Sequence, residues 1–427
     1  MAILSQDANV SFEKQERENS SHIMLFAPWY YGHHPTYLGH LIRYWEQQQR
    51  PGTLSIVVMP TFLAKHEDVV NLAAQQKCQT VKFVSMTQEE QVWLESARPN
   101  FVKAFVQYQL IVRYARKLGA TQGLLMHFDS CQIPLVLGLR LPCPFYGVYF
   151  TPTLHYSQLS NYSPTKKERR QHLRERIFLS RLFAHRQFKK LFCLDPHAVE
   201  FINRQFDGSP KVVHMPDPVE KMLPAEKSVC DLKIKLGIES DRKVLLAFGI
   251  LADQRKGTRQ LLEALHLLEP ELCKKICILL VGEPFPEGQA TVESWLANVR
   301  QSLPVQVITQ FGYISESEVP QYFQLSDVVM APYQKHPGMS GIVLLAAAAR
   351  KPILSSNYGL MGELVKQYGL GIAVDTTDRA EIARGLTRLT SEPLTDLCSP
   401  KGMTDFTELN SPQKFASAIF ETIYEDA

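Results

Sequence analysis

No two cysteines in the 427-residue chain stand at CxxC spacing, and the eight cysteines (Cys78, Cys131, Cys143, Cys193, Cys230, Cys273, Cys277 and Cys398) are scattered. Cys273 and Cys277 come closest, but neither a second pair nor a nearby histidine completes a zinc set. The pattern predicts buried, reduced thiols and no metal site. One-sided charge is missing as well. With 46 Lys and Arg against 43 Asp and Glu, the net charge is +3, which argues against a general nucleic-acid binder.

Long hydrophobic runs are also absent. The longest apolar stretches are broken by Asp129, Arg140 or several prolines within about ten residues, half of what a bilayer-spanning helix needs. The residues up to Ser20 are polar and charged; they read as a disordered leader rather than the apolar core of a signal peptide. The expected location is the cytoplasm, with contact at the inner membrane surface left open. GxSxG, GxxxxGK[ST], HExxH and GxGxxG do not occur, so nucleophile-elbow, P-loop, zincin and dinucleotide-binding readings have no support here.

What is present is a globular composition, 45% hydrophobic and 21% charged, in a chain long enough for two domains. Short continuous apolar runs alternate with helical patterns. In the first half the runs are His22 to Ala27, Leu54 to Met59, Thr80 to Val84, Gly123 to Phe128, Pro144 to Phe150, Lys190 to Leu194 and Lys211 to His214. Unbroken apolar character is what a parallel strand covered on both faces requires. Leu38, Leu41, Ile42 and Trp45 recur at helical spacing, and Glu89 to Leu118 has room for two helices. A second series follows: Lys243 to Phe248, Ile276 to Val281, Val305 to Ile308, Asp327 to Ala331, Pro352 to Ser355 and Ile372 to Val374. Between the series, MPDPVEKMLP holds three prolines and reads as a linker. The expected layout is a leader over 1–21, α/β domains over 22–214 and 241–410 joined by 215–240, and a last helix over 411–427.

Open parallel sheets bind ligands beyond the carboxyl ends of their strands, where glycine admits a close approach and helix N-termini attract anions. Three corners have that character. In AFGILADQRKG the strand ends at Gly249, and Arg255 and Lys256 precede a helix; two cations there suit a pyrophosphate, although a solvated loop carries such pairs too. In PYQKHPGMSG, Gly338, Met339, Ser340 and Gly341 lead into an alanine-rich helix, with Ser340 a candidate N-cap. In PWYYGHHPTY, Tyr31, Gly32, His33 and His34 follow the first strand, where aromatic faces and imidazoles suit sugars or phosphates. His127 and Asp129 in MHFDS make a fourth signal, either a site or a buried His–Asp contact.

The stretches FGILADQRKGTRQLLEAL, ILLVGEP, FGYISESEVPQYFQLSDVVMAPY, SGIVLLAAAARKPILSSNYGLMGELV and GLGIAVD together resemble glycosyltransferase family 4. The resemblance covers roughly Leu245 to Asp375, with looser agreement at Gly32, His127, Asp195, Pro216 and Asp217. It implies the GT-B fold: two facing Rossmann-like domains with parallel sheets and a C-terminal helix crossing back to the first. It further implies a retaining, metal-independent transferase with a nucleotide-sugar co-substrate and no cofactor. The acceptor would be a glycan, a lipid-linked molecule or a small molecule. Lys256 then meets the diphosphate with help from Arg255. Gly249, the loop Gly338 to Gly341, and Glu363 in the loop after the Lys–Pro strand serve the donor. Tyr31, Gly32, His33 and His34 lie on the acceptor side, and His127 and Asp129 join the catalytic set.

Three departures stand against the pattern. The two glutamates the family commonly carries fall on Pro337 and Leu345, and its arginine after the first glycine falls on Ile250. They leave open a catalytically weak partner subunit, or a sugar-nucleotide epimerase of the same fold. Finally, residues 166–190 hold ten Lys and Arg against two Glu, with apolar Ile177, Phe178, Leu182 and Phe183 interspersed. This segment suits an anionic membrane surface, or a solvated helix packed on its domain by its apolar side.

Overall fold

The computed structural model describes residues 21–75, 80–159, 162–206, 210–222, 226–284 and 286–426. The polar leader through Ser20, and Cys78, lie outside them. The described residues fall into two compact units, one drawn from 21–155, 164–218 and 412–426, the other from 156–163 and 219–411.

The first unit holds β1 (His22–Phe26), β2 (Thr53–Val58), β3 (Val81–Ser85), β4 (Gln122–Leu125), β5 (Phe145–Tyr149), β6 (Phe188–Cys193) and β7 (Val212–His214). They pair in parallel in the order β3-β2-β1-β4-β5-β6-β7. Side chains of β1 alternate between two cores, Met24 and Phe26 to one face, Ile23 and Leu25 to the other. That two-sided burial is why the strand reads as an unbroken apolar run. Each such side chain contributes about 1.5–3 kcal/mol relative to exposure.

The helices that bear on the argument are α1 (His34–Gln47), α2 (Phe128–Val136), α3 (Lys166–Phe183), α4 (Pro196–Gln205), α5 (Gly341–Ala348), α6 (Gly359–Tyr368) and α7 (Pro412–Glu425). Although last in sequence, α7 belongs to the first unit and packs on α1. The Tyr44 and Phe420 rings stack at 6.0 Å, Trp45 meets Phe420 edge-on at 5.1 Å, and Tyr37 lies 4.8 Å from Phe415. Arg50 pairs with Glu421, and the Tyr424 hydroxyl donates to the Pro51 carbonyl at 2.5 Å.

The second unit holds β8 (Lys243–Phe248), β9 (Ile276–Gly282), β10 (Gln306–Phe311), β11 (Val328–Ala331), β12 (Ile353–Ser356) and β13 (Gly371–Val374). The order is β10-β9-β8-β11-β12-β13, again parallel throughout. Val244 and Leu246 serve one core, Leu245 and Ala247 the other. The stretch read as a 215–240 connection is only partly a linker. It includes a helix, Glu226–Lys235, that packs against Val319–Leu325, and Val219 N donates to Asn410 O at 2.8 Å. Among the described cysteines, Cys230 is exposed and Cys398 half-buried, so the expectation of buried thiols holds for the other five.

Candidate functional site

The strand order of the second unit reverses at β8, so a crevice is expected where the ends of β8 and β11 diverge. Gly282 closes β9 at φ +129°, and a Cβ there would lie 2.2 Å from the Gly249 carbonyl oxygen. Only glycine lets the two strand ends meet this closely. Beyond Gly249 the chain forms a single 3₁₀ turn, Gln254–Lys256, whose start is fixed by the Asp253 carboxylate accepting from Arg255 N at 2.9 Å. Gly257 follows at φ +71°, so near the chain leaving β11 that a Cβ would stand 1.9 Å from the Pro332 carbonyl oxygen. Gln334 N then donates to Arg255 O at 2.8 Å. The two glycine corners of this unit are therefore one construction.

Lys256 is its centre. The ammonium lies over Gly249, 3.4 Å from where a Cβ would be, and over the Tyr333 ring at 4.4 Å. It donates to the Tyr333 hydroxyl, which also accepts from Ser340 Oγ at 2.9 Å. Tyr333 is 2% exposed, and its carbonyl accepts from Thr376 Oγ1 at 2.7 Å. A buried ring fixed at both ends thus holds a cation between the chains leaving β8 and β11. Arg255 sits further out, paired with Asp253 at 3.3 Å.

The Gly338–Gly341 loop departs from expectation in detail. Ser340 occupies the N-cap position of α5 but its side chain makes no cap bond, because the hydroxyl is directed to Tyr333. The Met339 side chain is half-buried against the core, and its carbonyl pairs with His336 Nε2 at 3.1 Å. Burial lowers the His336 pKa against the opposing effect of that bond, so the ring is neutral at pH 7 and donates. Gly338 packs beside the Tyr156 hydroxyl. A Cβ on Gly341 would meet nothing within 4 Å, so the space over the start of α5 is open. Its first amides lack intrahelical partners and carry the positive end of the helix dipole. Glu363 lies on α6, half-buried, rather than in the preceding loop.

The order of the first sheet reverses between β1 and β4; Tyr31, Gly32 and His33 follow β1, His34 opens α1, and His127 follows β4. His34 and His127 stack with centroids 5.7 Å apart, and the Phe150 ring lies 6.2 and 5.3 Å from them. Both Nδ1 atoms are buried without a hydrogen-bond partner. Burial, then the charges His127 and His33 can carry, pushes the His34 pKa down to about 3, so that ring is neutral at pH 7. The two adjacent histidines part company: His33 is exposed and stacks on Tyr37 at 5.7 Å. Gly32 forms the turn before α1, and Tyr31, 58% exposed, leans on Trp29 and Tyr30.

Asp129 does not pair with His127. Its carboxylate accepts from Phe150 N at 2.9 Å, Thr151 N at 3.1 Å and the Thr151 hydroxyl. These bonds tie Asp129 to the chain leaving β5, fixing the residue whose ring touches both histidines. Asp195 caps α4 and pairs with His155, while the Tyr37 hydroxyl donates to Asp217 at 2.5 Å. The residues that sequence reasoning missed are Tyr333, His336 and Phe150. Each follows the end of a strand, Tyr333 and His336 that of β11 at the switch point and Phe150 that of β5, next to β4, which was the available signal.

Residues 242–392 match the protein family described as Glycosyl transferases group 1. A D-inositol 3-phosphate glycosyltransferase of Streptomyces bingchenggensis is 25% identical over 197 residues, which is 44% of this chain and 42% of that protein. The match thus spans less than half the length of that relative. Among solved structures, a glycosyltransferase of Rickettsia africae aligns with 96% of this chain and 98% of its own at TM-score 0.64 and 15% identity. Anabaena HepE, crystallised with UDP and glucose, aligns with 95% of this chain and all of its own at TM-score 0.65 and 14% identity. Sucrose-phosphate synthase of Thermosynechococcus elongatus gives 0.67 over the same shares at 14% identity. The likeness establishes the GT-B fold, and the family resemblance read from Leu245 to Asp375 holds.

Proposed function

We propose that the chain is a retaining glycosyltransferase that takes a sugar from a nucleoside-diphosphate donor without a metal ion. The observation that carries this reading is Lys256, fixed over Gly249 by Tyr333 beside the open start of α5. As the bond from the sugar carbon to the diphosphate breaks, negative charge grows on the departing phosphate. A cation already in place stabilises that charge without reorganising, which is the larger part of electrostatic catalysis. Arg255 and the first amides of α5 add to it. Retention rests on the family resemblance.

In the first unit, His34 and His127 offer buried ring nitrogens with no partner in the protein, suited to hydroxyl groups of a sugar or acceptor. UDP-glucose is the donor to try first, since HepE was crystallised with UDP and glucose. The name of the Streptomyces relative makes phosphorylated polyols the first acceptors to screen, ahead of glycans and lipid-linked molecules. A second reading, a catalytically weak partner subunit, draws on Leu345. Where the family commonly has a glutamate, this side chain packs half-buried on the apolar core.

The test is thermal stabilisation of the pure protein by UDP, GDP, ADP and TDP and their sugars, in chelator. A ligand that binds only the native state raises its melting temperature, by about 2.7 kcal/mol of stability at a hundred times Kd. We expect a shift with one base, followed by acceptor-dependent release of that nucleotide. Turnover of the nucleotide sugar without an acceptor would indicate an epimerase, and no shift with any member would favour the partner subunit.

A further inference from the structure

Helix α3 is the most basic element of the described chain, with seven Lys and Arg against two Glu. Both acids are engaged within the fold. Glu168 forms a capping box with Thr165. Glu175 is buried, accepting from the Tyr149 hydroxyl at 2.7 Å, Thr153 N at 3.0 Å and the Thr153 hydroxyl. The buried face is completed by Leu179 and Leu182, which accounts for part of the apolar content of the segment.

Phe178 and Phe183 pack partly buried against the same core, but two apolar side chains point outward. Leu173 is 62% exposed and Ile177 48% exposed. One turn apart, they form a stripe along the centre of the solvent face. At 100° per residue, Arg170, Arg174 and Arg181 lie along one side of the stripe and Arg169 and Arg176 along the other, all exposed. Beside the end of α3, His185 Nε2 pairs with Leu139 O at 3.2 Å. That contact brings in the turn after α2, where Leu137, Leu139 and Arg140 are also exposed. A solvated helix needs no central apolar stripe, and a helix docked on a protein would bury its arginines beside acids. Apolar side chains between two rows of arginine fit one occupant best: the boundary of an anionic bilayer, where the stripe enters the acyl region and the guanidinium groups meet phosphates.

We propose that α3 and the turn after α2 dock this protein on anionic lipid. The inference does not rest on the transferase reading, because its readout is membrane partition alone. The experiment is flotation of the full chain with phosphatidylcholine vesicles, with and without about one-third phosphatidylglycerol. We expect binding only to the anionic vesicles, weakened by added salt.

Each cation near such a surface is worth about fivefold. Changing Arg170, Arg174 and Arg181 together to Gln should therefore lower partition on the order of 100-fold. Leu173→Ser with Ile177→Ser should lower it on the order of tenfold. All five residues are exposed, so an unchanged melting temperature confirms that the variants fold. Absence of binding to anionic vesicles, equal binding to neutral ones, or undiminished binding by either variant would overturn the proposal. So would binding of single-stranded RNA, tighter than to vesicles and lost in the same variants.

Discussion

Replacing Lys256 with alanine removes one cation whose position is set by three neighbours: the Tyr333 hydroxyl, the Tyr333 ring at 4.4 Å and the backbone of Gly249. Because the ammonium is held before donor arrives, it need not reorganise as charge grows on the departing phosphate, and its effect is larger in the transition state than on the diphosphate already bound. A preorganised donor of this kind is worth about 2.7–4 kcal/mol, so kcat should fall by about 100- to 1,000-fold, with KM changing much less. The fold should survive. The alanine variant forgoes one hydrogen bond and one cation–π pair at a half-buried site, about 1–2 kcal/mol together. A unit of this size would then melt roughly 2–8 °C lower. Nucleotide release from UDP-glucose, or from whichever donor the thermal panel identifies, gives kcat and KM, and a melt gives the stability. Lys256→Arg should recover part of the rate, since the charge returns without the geometry. A Lys256→Ala variant that turned over within a few-fold of the parent would refute the argument.

Tyr333→Phe keeps the ring under the ammonium but deletes the hydroxyl shared by Lys256 and Ser340. It should lower kcat/KM by about tenfold, the value of one charge-assisted hydrogen bond, and an unchanged value would show that Lys256 holds its place without Tyr333. Leu345→Glu places a carboxylate against the apolar core of the second unit, so the melting temperature should fall by several degrees, as about 1–3 kcal/mol of uncompensated burial requires. A melt like the parent's, with tighter nucleotide binding, would instead place residue 345 at the ribose. His34 has a folded pKa depressed to about 3, so between about pH 6.5 and 3 the unfolded chain takes a proton that the folded one refuses. Its contribution is present above about pH 6.5 and declines by about 1.4 kcal/mol per pH unit as the pH falls through that window. Denaturant midpoints between pH 7 and 5 should flatten in His34→Gln, and an unaltered slope would sink the assignment.

The strands were legible because their burial leaves no room for polar alternation. Lys243 to Phe248 coincides with β8, and the other twelve runs differ from their strands mainly at the ends. The run Gly123 to Phe128 overshoots β4 for a physical reason: Phe128 is already the first residue of α2, apolar because it is buried in the same core. The boundaries between the units were not legible. Residues 156–163 join the second unit from within the first half of the chain, and the return of α7 to the first unit was expected from the family resemblance alone, not from composition. No change of composition marks such excursions, because apolar side chains suit either core.

The candidate sites divide along the same line. Glycines and cations at strand ends are local signals, and Gly249, Lys256, Gly341 and His34 could be picked out from neighbours in sequence. Their partners are set by strand order, which depends on pairings between residues far apart. Once β11 lies beside β8, the tyrosine that follows β11 must meet the lysine that follows β8, and Ser340 turns from its cap to that tyrosine. Once β4 lies beside β1, His127 must meet His34 instead of Asp129, which the end of β5 has already engaged. The same rule explains why α3 looked ambiguous: net charge per segment does not say which face carries it. Only when Glu175 and Leu179 are seen turned inward does the outward face become arginine on both sides of Leu173 and Ile177. It is this combination of outward aliphatic side chains between rows of arginine, visible only once the buried face is known, that the vesicle experiment tests.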